Sequence, residues 1–139
     1  MAQFVEGTKI SAKIGYGIAL FDCDIQPIDK DKDWGDLTNI LYEIAFENKE
    51  FKVFAKERGC LIKEYKAEDQ QQIWIVSASN WAETDSTAFL GRIELDKDTV
   101  DKSLQEVLKE LISRTSSAFG DEIKIDDYQP EWILHLYYD

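Results

Sequence analysis

Leu104, Val107, Leu108, Leu111 and Ile112 fall at i, i+3, i+4, i+7 and i+8. That spacing is one stripe of an amphipathic helix, and it predicts a helix over 98–115. Asp98 or Asp101 would cap its start, Lys109 and Arg114 lie toward its negative end, and Gly120 follows as a stop. A helix with one apolar stripe must lay it on another layer. The rest of the chain has to supply that layer.

Most of the remainder alternates as strands do. Residues 8–14 put Ile10, Ala12 and Ile14 on one side. Gly15-Tyr16-Gly17 reads as a turn or a bulge, and 18–25 as a second strand. Residues 26–36 are polar, hold Pro27 and Gly35, and read as a loop. Two patterns compete over 37–48. Leu37, Leu41 and Ile44 fit a helix with Asp36 as its cap. Ile40, Tyr42, Ile44 and Phe46 alternate, and because they are β-branched or aromatic the strand is favoured. Residues 51–56 alternate, Glu57-Arg58-Gly59 turns, 60–66 run on, 67–71 turn again, and 72–79 form a strand around Ile73-Trp74-Ile75-Val76. A loop over 80–86 carries Trp81. Strands follow at 87–95, 122–126 and 132–138. The expectation is one α+β domain over residues 1–139: an antiparallel meander with one principal helix, in the C-terminal half, packed on one face.

Several chemistries lack their residues. The chain has one histidine, His135, so a zinc site would need cysteines or carboxylates, and Cys23 and Cys60 lack ligand spacing. A nucleophile pair of either cysteine with His135 is the one arrangement of that kind the composition permits. Gly15-x-Gly17 has Leu20 where a dinucleotide fingerprint needs glycine. Asp29-Lys30-Asp31-Lys32-Asp33 begins like a calcium loop, but Trp34 stands at its glycine position and Ile40 at its bidentate glutamate. The carboxylate pairs Asp22 with Asp24, Glu83 with Asp85, and Asp126 with Asp127 are what an acidic composition produces by itself. No cofactor and no catalytic set are expected.

Charge says more. The chain carries a net charge of −12. Such a surface repels phosphate backbones and speeds encounter with basic proteins. The charge is uneven: net +3 over 51–66, four acids and no base over 67–85, and net −5 over 115–139. Trp74 sits in an apolar run and is expected in the core. Trp34, Trp81 and Trp132 lie near acids, and indole faces and carboxylates both attract guanidinium. The candidate partner-binding residues are Glu68, Asp69, Trp81, Glu83 and Asp85, with Asp121, Glu122, Asp126, Asp127 and Glu131 second. No run of about 18 uncharged apolar residues spans a membrane. The start of the chain lacks the pattern of a secretory signal, so a cytoplasmic location is expected.

Residues 42–54, Tyr42-Glu43-Ile44-Ala45-Phe46-Glu47-Asn48-Lys49-Glu50-Phe51-Lys52-Val53-Phe54, followed by Ile62-Lys63-Glu64-Tyr65-Lys66 and Trp74-Ile75-Val76, resemble the central pattern of a small accessory protein of type III-D CRISPR–Cas operons. Phe46-Glu47-Asn48 departs from that pattern, in which an Arg-rich strand leads to Phe-Asn. The resemblance implies an accessory subunit docking on an RNA-guided effector, and carries over no catalytic residue. In size and acidity the chain is also similar to toxin-immunity proteins and phage inhibitors of bacterial defence.

The reading is a non-enzymatic, acidic module that binds a basic protein, a nuclease or an RNA-guided effector complex among the partners that fit. It binds neither nucleic acid directly nor membrane. The alternative is a small-ligand binder or small hydrolase whose sheet curves around a pocket holding Asp22, Asp24 or Cys60. A structural subunit of a homo-oligomer is the third.

Overall fold

The computed structural model describes residues 10–21, 24–29, 31–67, 70–85, 95–125 and 128–138. Among these residues six strands and three helices follow one another as β1 (Ile10–Phe21), β2 (Ile25–Pro27), α1 (Trp34–Glu47), α2 (Lys49–Glu57), β3 (Cys60–Ala67), β4 (Gln70–Asp85), α3 (Lys97–Phe119), β5 (Ile123–Ile125) and β6 (Glu131–Tyr138). The architecture is α+β. Four strands form an antiparallel sheet in the order β3-β4-β1-β6, and β2 pairs with β5 in a small ribbon. β3 and β4 are the consecutive pair in that sheet, whereas β1 sits between two strands that come much later in the chain.

α3 carries the stripe that its spacing predicts: Leu104, Val107, Leu108 and Leu111 are buried. Its bounds are wider than expected. Asp96 occupies the N-cap without a side-chain capping bond, so neither Asp98 nor Asp101 caps the helix. Arg114 falls short of the last turn and pairs instead with Glu110 and Glu50. Gly120, in the left-handed region at φ +83°, ends the helix and donates its N–H to Ser116 O.

Two segments read as strands are helices. Over 37–48 the helical pattern prevails: Leu37, Leu41, Ile44 and Ala45 are the buried face of α1. Its cap is Asp33, whose Oδ1 accepts from Gly35 N at 2.8 Å, and not Asp36. The pseudo-calcium run is thus consumed locally, since Asp29 Oδ1 also accepts from Asp31 N. Asn48 closes α1 and opens α2, accepting from Phe51 N at 2.9 Å. Residues 51–56 belong to α2, where Phe51 and Ala55 are buried one turn apart. Of the turn expected at Glu57-Arg58-Gly59, Arg58 and Gly59 make the turn while Glu57 ends α2, and β3 starts at Cys60.

β1 is one strand where two were expected, and its Gly15-Tyr16-Gly17 segment is the bulge site. Gly17 pairs with Val76 and Gly15 with Trp81, so four residues of β4, Ser77 to Asn80, stand opposite Tyr16 alone. Within that insertion Ser77 Oγ lies 2.8 Å from Asn80 Oδ1. Beyond it β4 continues to Asp85, so Trp81 lies in a strand and not in a loop. The strand expected over 87–95 falls outside the described residues except for Leu95, which precedes α3 and packs at the core's margin.

The register assigns the faces. Ile18 pairs with Ile75 and Leu20 with Ile73, and all four are buried under the helices. Trp74 and Val76 point to the opposite face and are equally buried, Trp74 at 3% exposure. On that face Tyr65 of β3 and His135 of β6 have ring centroids 4.2 Å apart. Those edge strands lie three strand spacings apart, about 14 Å in a flat sheet. The sheet therefore curls at the bulge and closes its helix-free face on itself.

Candidate protein-docking surface

Glu68, Asp69, Asp126 and Asp127 lie outside the described residues, as do Asp22 and Cys23. Glu83 and Asp85 occupy the end of β4, at the positions opposite Lys13 and Ser11 of β1. Trp81 is half-buried on the concave face. It meets Trp74 edge-on at 5.9 Å and lies against Gly15, and the Lys63 ammonium stands 5.5 Å from its ring centroid. The register explains this neighbour: β3, from the basic stretch, runs beside β4, from the first acidic stretch. A cation of the same chain already occupies the indole face that the sequence offered to a partner. Trp34, exposed at the start of α1, shares a shallow pocket with Lys32 and Lys124.

Described parts of the second acidic stretch, at Asp121, Tyr128 and Pro130, lie close to α3. Ser116 Oγ donates to Asp121 O at 2.8 Å, and Gln105 Nε2 donates to Tyr128 O at 2.6 Å. Tyr16 Oη donates to Asp101 Oδ1 at 2.5 Å and reaches Pro130 O at 3.4 Å. The segment after the helix thus runs back beside it. Between them lies a groove of about 540 Å³ floored by Leu108, Ile112, Ile123, Ile125 and Tyr128, with Glu122 at its margin. Glu122 is exposed, and Asp121 is half-buried with Oδ1 accepting from Glu122 N.

At the end of this run Glu131, exposed, starts β6. Trp132 follows at 45% exposure, edge-on to Tyr16 with centroids 5.3 Å apart. Leu134, at 61%, shares its face of the strand. Sequence reasoning ranked Trp132 below Trp81 and passed over Leu134. The available signal was the apolar phase Trp132, Leu134, Leu136 of the strand, a phase the register sets opposite Tyr16, Ile14 and Ala12.

The residues named for other chemistry stand apart. Cys60 is buried on the helix side. His135 lies on the concave face against Tyr65, so the two do not form a pair. Burial is the main cause that pushes the Cys60 thiol up to about 11; nearby Arg58 opposes the shift and Glu106 adds to it. A thiol held protonated is a poor nucleophile at neutral pH. Burial first, then Lys13, lowers the His135 pKa and favours the neutral ring. Asp24, at a half-buried position, accepts from Phe21 N at 2.8 Å. No cluster of three metal-ligating side chains occurs among the described residues, and no described helix is long and apolar enough to cross a membrane. Compared with family models, curated proteins and solved structures, the chain matches none.

Proposed function

We propose that this chain is a non-enzymatic binding module that docks on a basic protein, one that handles nucleic acid, and that the flank from Asp121 to Leu134 is its main contact. The observation that carries the reading is the exposure of Trp132 and Leu134 beside Glu131, in a stretch with a single base, Lys124, from Thr115 to the end of the chain. An exposed indole with an aliphatic neighbour inside an acidic surround is the composition of an interface core and its charged rim. Glu122 and the apolar groove along α3 extend the same flank. Asp126 and Asp127 belong to this segment by sequence, and Glu68, Asp69, Trp81, Glu83 and Asp85 form the secondary set.

An accessory subunit on an RNA-guided effector, an immunity protein and an inhibitor are three settings for this one physical role. The rival reading is a ligand pocket in a curved sheet. The sheet does curve, but Trp74 and Val76 fill its concave side, and Cys60 lies on the other face.

The test is association with the basic proteins encoded beside this chain's gene, followed as salt rises. The association rate should fall with ionic strength as the charged rim is screened. Trp132→Ala should weaken the complex about tenfold or more, the effect of truncating a central aromatic anchor. Salt-independent association, or unchanged affinity in the Trp132 variant, would reject the reading.

A further inference from the structure

β6 is an edge strand. It pairs with β1 on one side, and among the described residues no strand pairs with its other side. The opposite edge of the sheet, β3, carries Lys63, Glu64 and Lys66 within its eight residues. Charged side chains of that kind discourage a further strand. β6 reads Glu-Trp-Ile-Leu-His-Leu-Tyr-Tyr, with no lysine, arginine or proline. Its described register with β1 is continuous from Glu131 to Tyr138, without the bulge that interrupts β1 and β4. Among the described residues it is the unguarded edge, and Trp132 and Leu134 are exposed along it.

We propose that β6 receives an extended, basic segment of the partner as a fifth strand. This rests on the docking function above and names how the contact is made. The outer side of an edge strand selects an extended chain, because main-chain hydrogen bonds supply the contact in strand addition. Charge selects its composition. Asp126, Asp127 and Glu131 precede the strand or open it, Asp139 follows it, and no base lies between Ile125 and the end of the chain. A β-prone segment with lysine or arginine at both ends complements that pattern. A second copy of this chain does not. Two-fold pairing lays the same base-free strand, opened by Glu131, along β6, between two chains each of net charge −12.

The probe is a synthetic peptide with a core of alternating Val and Thr and two lysines at each end, compared with the same peptide N-methylated at every residue. Methylation removes the main-chain donors and leaves the charge unchanged. The plain peptide should bind the full chain and slow amide exchange over 131–138 while leaving 60–67 unaffected. The methylated peptide should bind at least about tenfold more weakly. Leu134→Lys, which guards the edge at an exposed position, should abolish the protection without altering the far-ultraviolet circular dichroism. Equal, salt-sensitive binding of both peptides overturns strand addition and leaves the basic-partner reading standing. Binding of neither overturns both. A dimer of the free chain that already protects 131–138 overturns the proposal in favour of a second copy.

Discussion

Tyr16 links the sheet to α3, and its chemistry makes that link sensitive to pH. Its hydroxyl donates to Asp101 Oδ1, while the other carboxylate oxygen, Oδ2, takes a 2.7 Å bond from Lys97. Burial, then the hydrogen bond and charge of Asp101, push the Tyr16 pKa from 10.0 up to about 12. The fold holds this proton more tightly than the unfolded chain does. The stabilisation is therefore fully present below pH 10 and is lost as pH rises through about 12. Tyr16→Phe should cost about 1.5–3 kcal/mol near neutral pH, the scale of a hydrogen bond to a charged group. The gap in melting temperature between wild type and variant should close across that alkaline window. A gap that stays constant with pH would show that the fold does not hold the Tyr16 proton more tightly than the unfolded chain does. The sequence showed Tyr16 only as the middle of a Gly-x-Gly segment. Its partner lies 85 residues away, and no local pattern encodes such a pairing. Trp74 was legible as core, because its apolar neighbours leave few other places for it. Trp81 was not, because the cation that covers it comes from a neighbouring strand.

At the scale of elements, α1 shows how a period is hidden. Leu37, Leu41, Ile44 and Ala45 form its buried face, while Ile40, Tyr42 and Phe46 pack partly buried on its flanks. Tyr42 also donates through its hydroxyl to Gln71 O, and its ring stacks on Phe46 at 6.2 Å. A helix wedged against both a sheet and other helices needs apolar residues around a wide arc, and such an arc contains an alternating subset by chance. The signals that would have decided were the caps, Asp33 before the helix and Asn48 after it. α3 faces its neighbours with a narrower stripe, so its period survived in the sequence. The bulge was also half legible. Two glycines marked the place on β1, but nothing in β4 announced that Ser77 to Asn80 would be set out of register. A methyl at Gly17 would lie 2.0 Å from Ile75 O and 2.8 Å from Val76 Cα, both backbone atoms. Gly120→Ala meets no atom within 4 Å and bears only the strain of φ +83°, about 1–2 kcal/mol. Gly17→Ala should cost more, about 3 kcal/mol or above. Chemical denaturation of the two variants gives the order directly, and the reverse order would mean that β1 and β4 do not cross as closely as described.

For the whole molecule, the curl of the sheet means that β4 is packed on both faces. Ile73 and Ile75 lie under the helices, and Trp74 and Val76 lie in the fold of the sheet with Tyr65, Trp81 and His135 around them. An antiparallel sheet with one solvated face would show polar residues at alternate positions. The continuous apolar run Ile73-Trp74-Ile75-Val76 was the visible trace of two-sided burial. It did not say what the second cover was, since that cover is the sheet itself, bent at a bulge whose partner residues are distant in sequence. The two apolar layers share the same backbone, so they should melt together. Leu111→Ala, in the helix-side layer, should cost about 2–5 kcal/mol, and Trp74→Ala, in the aromatic layer, about 3–5 kcal/mol. Each is a large part of the roughly 5–15 kcal/mol that holds a domain together. Urea transitions followed by far-ultraviolet circular dichroism and by indole fluorescence should coincide in each variant, and both midpoints should fall. If Trp74→Ala lowered the fluorescence midpoint alone, the aromatic layer would be an appendage to the fold. If it moved neither midpoint, Trp74 would not be buried as described. A joint shift would establish that the bend which brings Tyr65 to His135 is part of the cooperative core, and that β6 is carried on it as a rigid edge.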